Sequence, residues 1–257
     1  MCLILFAHKV HPRYKLVIAA NRDEFYVRPT MPAAYWEDHP EILAGRDMEA
    51  GGTWMGINTK GEISMLTNYR DPFNIKSNSP SRGHLVSGFL KNNENAHDYL
   101  QKIAREGHLY NGFNMICGNV DQLYYYGNYS KGVHEIALGF HGLSNALLNT
   151  SWPKVDKGLE KLKSAIKGEE VQVESLFKTL YDDVKAPPHL LPDTGIGAEK
   201  EQVLSSIFIK SPGYGSRCST VLLVDNENQI QYVERTYDPA DFSYTDRTYF
   251  VNLNKLA

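Results

Sequence analysis

The first 25 residues, MCLILFAHKVHPRYKLVIAANRDEF, constrain the fold more than any other stretch. Two apolar runs, Leu3–Ala7 and Leu16–Ala20, flank a polar segment containing Pro12. Each is short, mostly aliphatic or β-branched, and bounded by turn residues, which spells strand–turn–strand. A symmetric antiparallel pairing sets Leu3 opposite Ala20 and Ala7 opposite Leu16, and therefore Cys2 opposite Asn21. Side chains alternate along a strand, so this register predicts Cys2, Asn21 and Asp23 on one face and Arg22 on the other. A thiol at the chain start beside an amide and a carboxylate is a chemical constellation rather than a packing one.

The same signature recurs along the chain. Thr53–Asn58 and Glu62–Asn68 are strands joined by Thr59-Lys60-Gly61, a tight turn whose Gly supplies positive φ. Phe113–Cys117 and Gln122–Tyr126 form another hairpin, and Val133–Leu138 and Leu143–Ala146 are short strands. Ser219–Val224, Gln229–Glu234 and Thr248–Val251 return the chain to strand at its end. Helical spacing marks a segment capped by Ser81 through Lys91, one capped by Asn95 through Glu106, then Lys154–Ile166, Val173–Val184 and Glu199–Ile207. Tyr26–Asp38 reads as an ordered loop and Ala44–Gly52 as a Gly-rich turn. Lys154–Lys163 reads as the solvated side of its helix, and His8 and His11 as solvated turn histidines. Hairpins dominate and β–α–β alternation is absent, which argues for an α+β layered domain of antiparallel sheet and helices. No repeat, low-complexity tract or linker divides residues 1–257, so they are read as one domain.

A net charge of -3 offers no electrostatic case for nucleic acid or an acidic membrane surface. The apolar run Leu3–Ala7 is far below the ~18 residues of a spanning helix and too short for a signal-peptide core. A cytoplasmic, reducing setting is the expectation. Three cysteines, Cys2, Cys117 and Cys218, are too scattered for a disulfide framework or a zinc site. Cys117 and Cys218 are expected to be buried thiols inside strands. Cys2 directly follows Met1, and removal of that Met would leave a free α-amine with a pKa of roughly 7.7–8.0. Such an amine can take the thiol's own proton, so nucleophile and base come in one residue.

The chain resembles the NRDE family, named after the tetrapeptide Asn21-Arg22-Asp23-Glu24. The resemblance extends over Met1-Cys2, Gly45-Arg46-Asp47, Gly51–Trp54, Leu66–Arg70, Leu143–Asn145, Asn149–Lys154 and Arg217–Val221. It implies an N-terminal nucleophile (Ntn) hydrolase-like fold, an αββα sandwich of antiparallel sheets flanked by helices. It further implies kinship with cysteine amidases that cleave C–N bonds of small acylated substrates and need no cofactor for hydrolysis. Carried over residue by residue, Cys2 is the nucleophile, Asn21 and Asp23 sit on the paired strand, and Asp23 orients the amine. Asn68 (or Asn145) then donates to the oxyanion, and Arg217 stabilises the site from the C-terminal strand. One departure stands out: Ala20 occupies the place of the amidase arginine, and Arg22 is expected to face away. The family resemblance therefore also implies an alternative, a non-catalytic carrier of haem, acyl-CoA or lipid that uses the same pocket.

Overall fold

The computed structural model describes residues 2–92 and 94–253. Met1, whose removal would free the Cys2 amine, lies outside the described residues. The chain opens with β1 (Cys2–His8), β2 (Tyr14–Phe25), β3 (Thr30–Tyr35), β4 (Ile42–Asp47), β5 (Met55–Asn58) and β6 (Glu62–Asn68). Two helices follow, α1 (Gly83–Lys91) and α2 (Ala96–Glu106), then β7 (Phe113–Asn119), β8 (Leu123–Gly127), β9 (His134–Glu135) and β10 (Gly139–Leu143). The last part holds α3 (Pro153–Ala165), α4 (Val173–Leu180) and α5 (Ala198–Val203). It closes with β11 (Lys210–Ser211), β12 (Tyr214–Asp225), β13 (Gln229–Tyr237) and β14 (Tyr244–Asn252).

The strands form two antiparallel sheets. One runs β10-β1-β2-β12-β13-β14, with β11 pairing to β12, and the other runs from β3 through β9 in sequence order. Alternation along the strands sorts the apolar side chains into three cores. Ile4, Phe6, Leu16, Ile18 and Tyr232 meet Leu43, Ile57, Met65 and Ile116 between the sheets. Leu3, Leu5, Val17 and Leu223 pack outward against Val155 and Leu162 of α3 and Phe177 of α4. Ala44, Phe113 and Met115 pack outward against Leu85 and Phe89 of α1 and Leu100 of α2. The result is the expected αββα sandwich. None of the described helices is long and apolar enough to cross a membrane.

The opening hairpin forms, but its register is one residue from the symmetric expectation. Cys2 pairs with Arg22, Leu3 with Asn21 and His8 with Leu16. The cause lies in the turn. Lys9 adopts φ 51 and its N–H donates to the Lys15 carbonyl at 2.7 Å. His11 is buried rather than solvated: its Nδ1 accepts the N–H groups of Arg13 and Tyr14, at 3.1 and 3.2 Å. A ring that collects two turn amides dictates the loop's length, and a one-residue slip inverts the face of every side chain.

Other departures are local. The Tyr26–Asp38 stretch contains β3, an edge strand that tolerates Pro32 beside a bulge between Met31 and Ala34. Ser81 does not cap α1, which starts at Gly83 with no side-chain cap. Asn95 does cap α2, accepting from His97 and Asp98 N–H. The strand expected over Leu143–Ala146 is instead β10, which ends at Leu143.

Candidate functional site

With Cys2 opposite Arg22, the tetrapeptide splits across the sheet. Asn21 and Asp23 point to the helix side, and Arg22 and Glu24 to the side that carries Cys2. Asn21 is fully engaged in structure: its Nδ2 donates to the carbonyls of Leu180 and Ile207, both at 2.9 Å, and its Oδ1 accepts from Ser219 at 2.6 Å. The expectation that Asn21 and Asp23 share a face with the thiol is therefore corrected. Asp23 accepts from Ser216 Oγ at 2.6 Å. That contact depends on a bulge in β12, where Arg217 is the extra residue between the pairs Ser216–Asp23 and Cys218–Arg22.

The expectation that Arg22 faces away is likewise corrected. Cys2, Arg22 and Cys218 form one row across β1, β2 and β12. The Arg22 guanidinium is 4% exposed and lies 4.2 Å from the Trp54 ring centroid. It donates to Thr30 Oγ1 at 3.1 Å and stands 4.0 Å from Glu24. Because Ala20 and Arg22 share a face, a cation two residues along the strand occupies the side on which the amidase arginine is absent.

Cys2 is half-buried, whereas Cys117 and Cys218 are buried. It lines a cavity of about 620 Å³ together with Arg22, Glu24, Arg28, Trp54, Asn68, Arg82 and Tyr214. Arg28 is neutralised by Asp47 at 2.8 Å and Glu49 at 3.0 Å. Arg82 donates to the Gly112 carbonyl at 2.8 Å; burial lowers it, and Glu24 and Cys2 oppose that effect. Burial pushes the Cys2 thiol up and the Asp23 charge adds to this, while the Asp23 backbone N–H and Arg22 work against it. A thiol held in the protonated form needs a base beside it to become a nucleophile. One row deeper lies Glu234, whose Oε1 accepts the Ala33 N–H at 2.6 Å. Its Oε2 has no hydrogen-bond partner among the described residues, and the Cys218 thiol acts on the carboxyl against the effect of burial. Burial raises this carboxyl to about 7.

The two candidate oxyanion donors are brought together but differ in use. Asn145 donates from Nδ2 to the Asn68 carbonyl at 2.8 Å, and its Oδ1 lies 3.2 Å from Ser144 Oγ. Ser144 Oγ also reaches the Cys2 carbonyl, at 3.3 Å. Asn145 thus ties the end of β6 to the end of β1, and Asn68 lines the cavity. Arg217 does not line it: one guanidinium nitrogen donates to the carbonyls of Phe25, Tyr26 and Arg28 at 2.9–3.0 Å. It clamps the turn after β2. Lys154, read as part of a solvated helix face, is 2% exposed. Among the described residues no group of His, Cys, Asp and Glu is arranged to hold a metal ion.

A family model described as Transport and Golgi organisation 2 matches residues 1–239. The chain belongs to the Transport and Golgi organisation 2 family. The Homo sapiens Transport and Golgi organization protein 2 homolog is 38% identical over 97% of this chain and 98% of its own length. The Drosophila melanogaster Transport and Golgi organization protein 2 is 28% identical over 94% of each chain. Among solved structures, the Caenorhabditis elegans N-acylethanolamine-hydrolyzing acid amidase ortholog superposes with a TM-score of 0.51 at 11% identity, over 87% of this chain and 92% of that one. A mutant of conjugated bile acid hydrolase from Clostridium perfringens gives a TM-score of 0.53 at 10% identity, over 99% and 93%. These two likenesses establish an Ntn-hydrolase fold for this member of the Transport and Golgi organisation 2 family.

Proposed function

We propose that this chain is an N-terminal-cysteine amidohydrolase that cleaves a C–N amide bond in a small acylated substrate. The observation that carries the reading is the place of Cys2: the half-exposed one of three thiols, at the first strand's end, on the wall of a large cavity. In this reaction the α-amine of residue 2 takes the thiol proton as sulfur attacks the acyl carbon. Asn68, anchored by Asn145, donates to the oxyanion that forms. The protonated amine then passes its proton to the leaving nitrogen, and water repeats the cycle on the thioester. Asp23 orients the amine from the helix side, and Arg22 with Arg82 favours a substrate that carries an anionic group. Intact-mass spectrometry tests the first requirement, a chain that begins at Cys2. The decisive comparison is hydrolysis of a panel of N-acyl amino acids by the wild type and by Cys2→Ala and Cys2→Ser. Turnover should vanish in both variants; turnover that persists in Cys2→Ala sinks the reading.

A carrier role draws on the same arginines. Arg22 and Arg82 on the cavity wall suit a bound carboxylate or phosphate without turnover, as in acyl-CoA or the propionates of haem. Haem would lie against Arg22 and Arg82, with Cys2 the nearest soft ligand. A shift of the Soret band that saturates with haem, and is lost in Arg22→Leu, supports the carrier role; an unsaturable titration removes it.

A further inference from the structure

Where β11 folds back on β12, a lysine is held in a cage of aromatic rings. Lys210 is the first residue of β11. Its Nζ lies 4.6 Å from the ring centroid of Tyr181, 5.0 Å from that of Phe242 and 5.5 Å from that of Phe208. The rings come from the end of α4, from the connection between β13 and β14, and from the chain just ahead of β11. They lean on one another: the Tyr181 and Phe208 centroids are 4.5 Å apart, and those of Phe208 and Phe242 are 5.8 Å apart. The ammonium also donates to Asp183 at 2.9 Å.

Two observations mark the cage as built around the cation. Phe242 has φ 59, a left-handed backbone that a bulky side chain rarely adopts and that persists only where its surroundings demand it. Its N–H donates to the Asp238 carbonyl at 2.8 Å, which fixes the turn that carries the ring. The ion pair alone is a weak tie, because the Lys210 and Asp183 side chains are 31% and 52% exposed. The faces of three rings supply the rest of the hold.

The strand that this lysine anchors is tied to the Cys2 region by hydrogen bonds. Lys210 pairs with Gly215, and Ser211 with Tyr214. Before Lys210, the Ile209 N–H donates to Ser216 Oγ and the Ser216 N–H donates to the Ile209 carbonyl, both at 2.9 Å. After it, Ser211 Oγ donates to the Tyr214 carbonyl at 2.6 Å. Ser216 Oγ gives its own hydrogen to the Asp23 carboxylate at 2.6 Å, and the Tyr214 hydroxyl donates to the Asp23 carbonyl at 3.2 Å. Tyr214 also lines the Cys2 cavity. Both the side chain and the backbone of Asp23 are thus held by residues that β11 braces.

Resting on the amidohydrolase reading, in which Asp23 orients the Cys2 amine, we propose that Lys210 is a positioning residue of that centre: its caged ammonium pins β11, and β11 holds Ser216 and Tyr214 on Asp23. Without the charge the rings keep an apolar contact but lose their grip on the strand. The bonds between Ile209 and Ser216 then open more often.

The test is native-state hydrogen exchange, read by NMR at the Ile209 and Ser216 amides, in the wild type, Lys210→Met, Lys210→Arg and Phe242→Gly. Methionine keeps the stem against the rings and removes the charge. Both amides should exchange about tenfold faster in Lys210→Met and near the wild-type rate in Lys210→Arg, which keeps a cation over the rings. Amides of β1 should keep their wild-type rates throughout. Phe242→Gly relieves the left-handed strain, so a residue that served only its own loop would leave the two amides as slow or slower. The cage requires them to exchange faster. Unchanged exchange in Lys210→Met overturns the proposal, as does an Arg variant as loose as the Met variant or a Phe242→Gly variant that is not loosened. If circular dichroism shows Lys210→Met unfolded, Phe242→Gly decides alone. With N-acyl amino acids, Lys210→Met should lower kcat severalfold and leave KM in place, since Arg22 and Arg82 lie outside β11; an unchanged kcat beside loosened amides also overturns the proposal. A wild type that hydrolyses no amide sinks the amidohydrolase reading by itself, and the exchange rates still decide whether Lys210 holds the partners of Asp23.

Discussion

At residue 22 a guanidinium is held between two thiols and an indole. A desolvated cation–π contact of this kind contributes about 2 kcal/mol, which helps to explain how a charge stays in the sheet interior. Glu234 lies in the next row and carries its own pH dependence. Its carboxyl is raised to about 7 in the folded chain, from an ordinary 4.5. The folded state therefore binds the extra proton between these values. Stability from this group is fully present below about pH 4.5 and is lost as pH rises through 7. The loss is on the order of 3 kcal/mol at most. Glu234→Gln should thus raise the melting temperature at pH 8 and change it little at pH 4.5; equal shifts at both would contradict this. Cys2 drew attention by its place directly after Met1, and Asn68 (or Asn145) through the family resemblance; of these, Cys2 and Asn68 line the cavity. Arg22 and Asn21 were misplaced because faces depend on register parity, and His11 set that parity through contacts invisible in spacing. Lys154 was hidden for another reason: in a run of lysines, nothing local separates the one that points inward.

Among the elements, the connection between β4 and β5 is the one that builds the cavity wall. Asp47 Oδ1 accepts the N–H groups of Glu49 and Ala50 at 3.0 and 3.3 Å, and Gly51 takes φ 76. The chain then runs against the start of α1, where Thr53 N–H donates to the Gly83 carbonyl at 3.3 Å. A Cβ at Gly52 would meet the Gly83 carbonyl carbon at 2.5 Å and its oxygen at 2.7 Å. Backbone cannot move aside as a side chain can. Gly52→Ala should cost about 1–3 kcal/mol, measured by urea denaturation, and should slow Cys2-dependent turnover; an unchanged midpoint would show that the loop yields. Hairpins with a Gly turn and the Asn95-capped helix were readable because their signals are local. The strand β3 was not, since Pro32 argues against any strand except an edge, and edge status is a property of the assembled sheet.

For the whole molecule, hairpins interspersed with helices indicated an antiparallel α+β layered domain, the αββα order came with the family resemblance, and the three cores show that order. The cavity draws on both sheets and on the approach to α1, so an occupant ties these layers together. A ligand at 100 times its dissociation constant should add about 2.7 kcal/mol to unfolding. Differential scanning fluorimetry with N-acyl amino acids should show that shift in wild type and in Cys2→Ala alike, since binding does not need the sulfur. A shift confined to the wild type would point to covalent trapping instead of binding. No pattern in the chain announced where the cavity would open, because it arises from two sheets meeting, not from one segment.

The row Cys2–Arg22–Cys218 has a bearing on oxidative chemistry. Two strand spacings separate the sulfurs' backbones, roughly 10 Å, and a disulfide needs Cα atoms within about 7 Å. An oxidised Cys2 thus has no resolving thiol within its own row. Peroxide would carry it to a sulfenic acid that only a small external thiol, admitted through the cavity mouth, can reduce.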